Sequence, residues 1–266
     1  MIGLTVKSKR MPDWLANGIG SIFNHLFGFS QFNLLYDRLP EHNAMGLSNA
    51  FLDKLNIDLK VSGEPASSIP ESGPVILMGN HPYGLLDGMV MDCILTEIRT
   101  DSVLMGFYAL GQIPEYTDRL ILVDPLKKRS RQSLNIKSWR QAFRLMSGGG
   151  ALIVFPAGSV SHFQWKKKSV ADPEWNAHIA TLARKTGATV LPVYLHGHNG
   201  WLFQLCGMIS PKLQNLFIFK EFPKMKNRQL EVTLGKAMPP EAWSDIDDDT
   251  VLINHFRKQV DALGRK

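Results

Sequence analysis

His81 and Asp87 are the residues of this chain whose types and spacing best suit proton chemistry. A histidine, with an ordinary pKa of about 6.5, is the usual general base at neutral pH. A carboxylate on its other ring nitrogen fixes the tautomer and stabilises the imidazolium that forms during turnover. Asp87 follows His81 by six positions, which on a continuous helix would put the two side chains on different faces. They can meet only if the segment opens as a turn, and Pro82 and Gly84 allow one. The same residues also admit a purely structural reading, with Asp87 as the N-cap of a helix starting near Gly88 and His81 as a hydrogen-bonded loop residue.

No protein nucleophile accompanies this pair. The chain has no G-x-S-x-G elbow, no G-x-x-x-x-G-K-S/T loop, no G-x-G-x-x-G after a strand and no H-E-x-x-H pair. His196 and His198 put two imidazoles on one side of an extended segment without a third ligand at suitable spacing, so no metal is expected there. A base without a nucleophile of its own is expected to activate the substrate itself.

The elements that must hold these residues are legible as hydropathy patterns. Pro74–Met78 and Ala151–Phe155 are short continuous apolar runs, the mark of strands covered on both faces. Further strands are expected at Ile57–Val61, Ser102–Met105, Leu120–Val123, Thr189–Tyr194 and Leu230–Leu234. Helical patterns lie over about 44–55, 88–99, 134–146, 174–185 and 250–263, with Gly148-Gly149-Gly150 and Gly187 as stop signals. The segment after Gly200 is apolar and helix-rich. Strands alternating with helices predict an α/β fold with a largely parallel sheet flanked by helices. An N-terminal helical cap over 1–56 precedes an α/β domain over 57–266. In such sheets ligands collect at the carboxyl ends of the strands. The residues just after the apolar runs are therefore the candidates: 79–88, Asp124-Pro125, 156–161 and 196–200.

Composition narrows the partners. The 266 residues carry 30 Lys+Arg against 24 Asp+Glu, a formal charge of 30 − 24 = +6, with 44% hydrophobic residues. A disordered chain is thereby excluded. Cys93 and Cys206 are too few for a disulfide framework, so a reducing, cytoplasmic setting is the default expectation. No apolar run is long enough to span a bilayer and no signal-peptide pattern is present. The positive charge favours acidic partners. Nucleic acid is not expected among them, because the basic loops carry few aromatics and no nucleic-acid motif. Trp165-Lys166-Lys167-Lys168 suits a lipid headgroup interface or an exposed loop. The amphipathic stretch Trp14–Phe27 reads either as a core-packing helix or as an interfacial anchor presenting Trp14, Phe23 and Phe27.

Asn80-His-Pro-Tyr-Gly-Leu-Leu-Asp-Gly88, Phe155-Pro-Ala-Gly-Ser-Val-Ser161 and Val190-Leu-Pro-Val193, in that order, resemble the first, third and fourth blocks of the glycerolipid (1-acylglycerol-3-phosphate) acyltransferases. The resemblance covers about Val61 to Pro239. It implies a mixed, largely parallel α/β sheet with helices on both sides. The implied reaction moves a fatty acyl group from acyl-CoA or acyl carrier protein to a lysolipid hydroxyl, with His81 as general base, Asp87 orienting it and no cofactor or metal. It implies substrate-binding roles for Asn80, Gly84, Phe155, Pro156, Gly158, Ser159, Ser161 and Pro192. Arg129 or Arg131, in the region of the second block, would contact the acceptor.

Two departures shape the expectation. The common family pattern has four residues between His and Asp, whereas five separate His81 from Asp87. That form resembles the hemolysin-like branch, which includes enzymes acting on lyso-ornithine lipid. In the third block Ala157, Ser159 and Val160 stand where the family has Glu, Thr and Arg. An aliphatic side chain cannot make arginine's bidentate phosphate contact. An aminolipid or another lysolipid is therefore expected ahead of lysophosphatidate. The implied location is cytoplasmic, peripheral on the inner face of an anionic membrane. The alternatives are N-acylation of an amine and a catalytically degenerate lipid-binding protein of the same fold.

Overall fold

The computed structural model describes residues 3, 13–43, 45–124 and 132–265. Its strands are β1 Asp58–Gly63, β2 Val75–Gly79, β3 Ser102–Phe107, β4 Leu120–Val123, β5 Ala151–Val154, β6 His162–Gln164, β7 Ser169–Ala171, β8 Thr189–Leu195 and β9 Gln229–Leu234. The helices are α1 Asp13–Leu26, α2 Phe29–Tyr36, α3 Leu47–Lys54, α4 Leu85–Thr96, α5 Gln132–Ser147, α6 His178–Thr186, α7 Trp201–Ile209, α8 Pro211–Glu221 and α9 Asp249–Leu263.

All strands but β6 and β7 form one sheet in the order β1-β9-β8-β2-β5-β3-β4. The five strands from β8 to β4 are parallel, with β2 between β5 and β8. β9 runs antiparallel to β8 and carries β1 parallel to itself, so these two strands oppose the rest. The sheet is thus mixed and largely parallel.

Alternation along β2 accounts for its apolar run. Val75 and Leu77 pack with Phe32 of α2, Leu47 and Phe51 of α3 and Met89 of α4. Ile76 and Met78 point the other way, to Met146 of α5, Ile179 of α6 and Phe256 of α9. With helices on both faces, every residue of β2 must be apolar or small. The N-terminal helices α2 and α3 thus share a core with the sheet. A buried polar cluster reinforces that junction: Arg119 Nη2 donates to Asp92 Oδ1 of α4 at 2.6 Å, and Ser48 Oγ of α3 donates to Asp92 Oδ2 at 2.6 Å.

Several elements differ from the sequence pattern, α3 among them, which starts at Leu47 rather than near residue 44. α4 starts at Leu85 rather than Gly88. α6 starts at His178 rather than Glu174, because the preceding residues are tied to loops; Asn176 N–H, for example, donates to Pro156 O at 2.9 Å. The β6–β7 hairpin has no counterpart in the hydropathy pattern, since three-residue strands carry almost no periodic signal. No helix among the described residues is long and apolar enough to cross a membrane.

Candidate active site

The site is built where β2 ends. Asn80 donates through Nδ2 to Leu195 O at 2.9 Å and accepts Leu195 N–H at Oδ1 at 2.8 Å, pinning the end of β2 to β8. Its amide is therefore engaged with backbone. His81 follows, held by its own main chain: its N–H donates to Asp172 Oδ1 at 3.1 Å, and its carbonyl accepts Ser161 N–H at 2.7 Å. The imidazole stacks on Phe155, just past β5, with ring centroids 4.1 Å apart and planes 17° from parallel.

The chain then turns into α4 through Gly84, whose φ of 84° lies in the left-handed region that favours glycine. A Cβ there would stand 3.1 Å from Val160 Cγ2. Asp87 occupies the third position of α4 and is fully buried. Its Oδ2 accepts the N–H groups of Tyr83 at 2.9 Å and Gly84 at 2.8 Å. His81 Nδ1 meets the same oxygen obliquely at 2.9 Å, which leaves Nε2 for the cavity that His81 lines. Asp87 is thus not the N-cap, which is Gly84, but the third residue of α4, and its one carboxylate both closes the turn and lies against the histidine. Burial pushes the Asp87 carboxyl above its ordinary value, opposed by the contact with His81 and by the two backbone N–H groups. Burial also pushes the Tyr83 phenol up to about 12, so it stays neutral and donates to His196 O at 2.9 Å.

Asp172 is a residue that spacing did not single out. It is buried, 91 positions from His81, and accepts from five groups, among them Gln164 Nε2, which reaches its carbonyl at 2.7 Å. Oδ1 accepts His81 N–H and the Ser161 hydroxyl, Oδ2 accepts Trp175 Nε1–H at 2.9 Å, and its carbonyl accepts Arg257 Nη2–H at 2.8 Å. It fixes the backbone from which the His81 ring projects. No local pattern marks its tie to His81, because that donor comes from a segment 91 positions away in the chain.

A cavity of about 960 Å³ opens beside the His81 ring. His81, Gly84, Phe155, Pro156, Gly158 and Ser159 line it, and Leu85, Leu104, Leu110, Ile218 and Phe219 give it an apolar wall. Asn80, Asp87, Ser161 and Pro192 lie behind this lining, buried. Pro192 pairs with Met78 in the sheet and accepts Gly235 N–H at 2.9 Å. Among the described residues no lysine or arginine lines the cavity. Val160 is packed under the Gly84 turn, 1% exposed. Arg129 and Arg131 lie outside the described residues. His196 Nε2 and Thr233 Oγ1 share a 2.9 Å hydrogen bond, and His198 Nδ1 lies 2.9 Å from Asn199 O, so these imidazoles are engaged separately.

No protein-family model matches the chain. A lyso-glycine lipid O-acyltransferase of Phocaeicola vulgatus is 22% identical over 270 residues, spanning 93% of this chain and 91% of its own. The protein of the same name from Bacteroides thetaiotaomicron is 23% identical over 270 residues, spanning 93% and 94%. Among solved structures, the 1-acyl-sn-glycerophosphate acyltransferase PlsC of Thermotoga maritima covers 95% of this chain and 98% of its own, with a TM-score of 0.51 at 16% identity. That last likeness is one of fold.

Proposed function

We propose that this chain, an acyltransferase of the glycerolipid acyltransferase superfamily, moves a fatty acyl group from a thioester donor to the hydroxyl of a lysolipid, with a lyso-aminolipid as the preferred acceptor class. The observation that carries the reading is the His81–Asp87 contact at the wall of a deep, partly apolar cavity. Nε2 of His81 takes the acceptor's hydroxyl proton as that oxygen bonds to the thioester carbonyl carbon. Asp87 holds Nδ1 and offsets the imidazolium charge. Collapse of the tetrahedral intermediate breaks the C–S bond, and the departing thiolate takes the proton back from Nε2, leaving an ester and a free thiol. The Gly158–Ser159 turn positions the acceptor or supports the developing negative charge. Because Gly158 N–H is donated to Phe155 O at 3.0 Å, Ser159 is the member with groups to offer.

Three observations support the acceptor class. Val160 stands where the family pattern has a phosphate-contacting arginine, the cavity lining among described residues carries no cation, and both relatives are named for a lyso-glycine lipid. The donor is acyl-CoA or acyl carrier protein, both acidic and both suited to a chain of charge +6. The same charge suits peripheral work on the inner face of an anionic membrane. Incubation with labelled acyl-CoA or acyl carrier protein and a panel of lysolipids and amines, with products identified by mass spectrometry, tests this. An ester of a lyso-aminolipid is the expected product. An amide product, or lysophosphatidate as the preferred acceptor, would overturn the assignment.

A further inference from the structure

α7 is built the wrong way round for a helix bathed in water. Its nine residues, Trp201–Ile209, include no charged side chain. Its polar residue Gln204 is buried and donates to Asn199 O at 3.1 Å, while Trp201 is 75% and Ile209 76% exposed. Leu202 and Leu205 complete the outward stripe at 40% and 43%. A helix apolar on both sides is stable where its outer side also leaves water.

The neighbouring element supplies the complementary feature. α7 lies against the β6–β7 hairpin: a Cβ on Gly207 would come within 2.5 Å of His162 Cβ. The tip of that hairpin is Trp165-Lys166-Lys167-Lys168, all exposed, with Trp165 at 73%. An uncharged apolar stripe on one element, with an exposed tryptophan and three lysines on the hairpin packed against it, matches the acyl boundary and the anionic headgroups of a leaflet together. The surface also adjoins the site. The hairpin begins after Ser161, whose N–H holds His81, and α8, which follows α7, supplies Ile218 and Phe219 to the cavity wall.

We propose that the outward stripe of α7 and the Trp165–Lys168 hairpin tip form one docking face for an anionic lipid bilayer, through which lysolipid reaches the cavity. This rests on the peripheral-membrane reading above and assigns it a surface. Flotation with phosphatidylcholine vesicles, with and without phosphatidylglycerol and at low and high salt, tests it on the full chain. The wild type is expected to float with anionic vesicles at low salt. W201S/I209S is expected to lower that partitioning about tenfold or more. The charge-reversed K166E/K167E/K168E is expected to abolish its dependence on phosphatidylglycerol, and both variants should keep the wild-type melting temperature. Wild-type flotation that both variants retain would overturn this face and leave the peripheral reading standing on another surface. A wild type that ignores anionic vesicles would overturn both. Loss of a concentration-dependent dimer in W201S/I209S, without vesicle binding by the wild type, would assign the face to a second copy of the chain instead.

Discussion

Oδ2 of Asp87 lies 2.9 Å from Nδ1 of His81 and accepts two backbone N–H groups from the turn that separates them. Helix α4 begins inside the motif, at Leu85, so His81 precedes it and Asp87 sits in its first turn. The turn at Pro82–Gly84 folds six positions of sequence into one contact, and the carboxylate that closes the turn also orients the ring. Loss of either function alone is therefore separable by choice of substituent.

His81→Ala is expected to lower acyl transfer by about 10² or more while the protein keeps a cooperative melt. Steady-state turnover beside circular dichroism checks this. A folded variant that turns over like the wild type would refute the base assignment.

Asp87→Asn keeps an oxygen for the Tyr83 and Gly84 N–H groups but loses the charge opposite His81. Turnover should fall by about 10² or more with little loss of melting temperature. The pH dependence has a definite sign. Burial raises this carboxyl, so the folded state holds its proton more tightly than the unfolded chain. Its contribution to stability is greatest below the ordinary carboxyl pKa and is lost as pH rises through the raised value. The melting temperature of Asp87→Asn relative to wild type should accordingly climb from about pH 4 upward. A variant that stays active but melts earlier at every pH would reduce Asp87 to a cap.

Asp172→Asn places an amide where a carboxylate receives donors from His81, Ser161 and Trp175. One buried donor is left facing another donor, a cost of about 1–3 kcal/mol. The melting temperature should drop, and well below it kcat should fall while KM for the donor holds, because the His81 ring is displaced rather than a binding contact removed. Unchanged kcat at low temperature would leave Asp172 with a purely structural role.

Leu110→Trp intrudes on the apolar wall of the cavity. If acyl chain occupies that space, excluding two or more methylenes should cost long-chain donors about tenfold or more in kcat/KM relative to short ones. Competition between donors of different length measures the ratio; an unshifted preference would place the chain elsewhere.

Much of this architecture is written in local patterns. The runs at 74–78 and 151–155 determine two central strands, since only apolar residues survive between two helical layers. The ordered blocks around His81, Phe155 and Pro192 carry the resemblance to the glycerolipid acyltransferases from residue types alone. The antiparallel turn of β9 onto β8 has no such signal, because strand direction depends on partners rather than on periodicity.

The sequence by itself determined the fold class and singled out His81 and Asp87. The tertiary structure decided that a turn lets them touch, that Asn80 and Pro192 work behind the cavity rather than on it, and that Asp172 holds the histidine from 91 positions away. It also decided that the apolar helix after Gly200 turns its tryptophan outward. Periodicity reports which face of a segment avoids water, and it is silent on which distant segment meets that face.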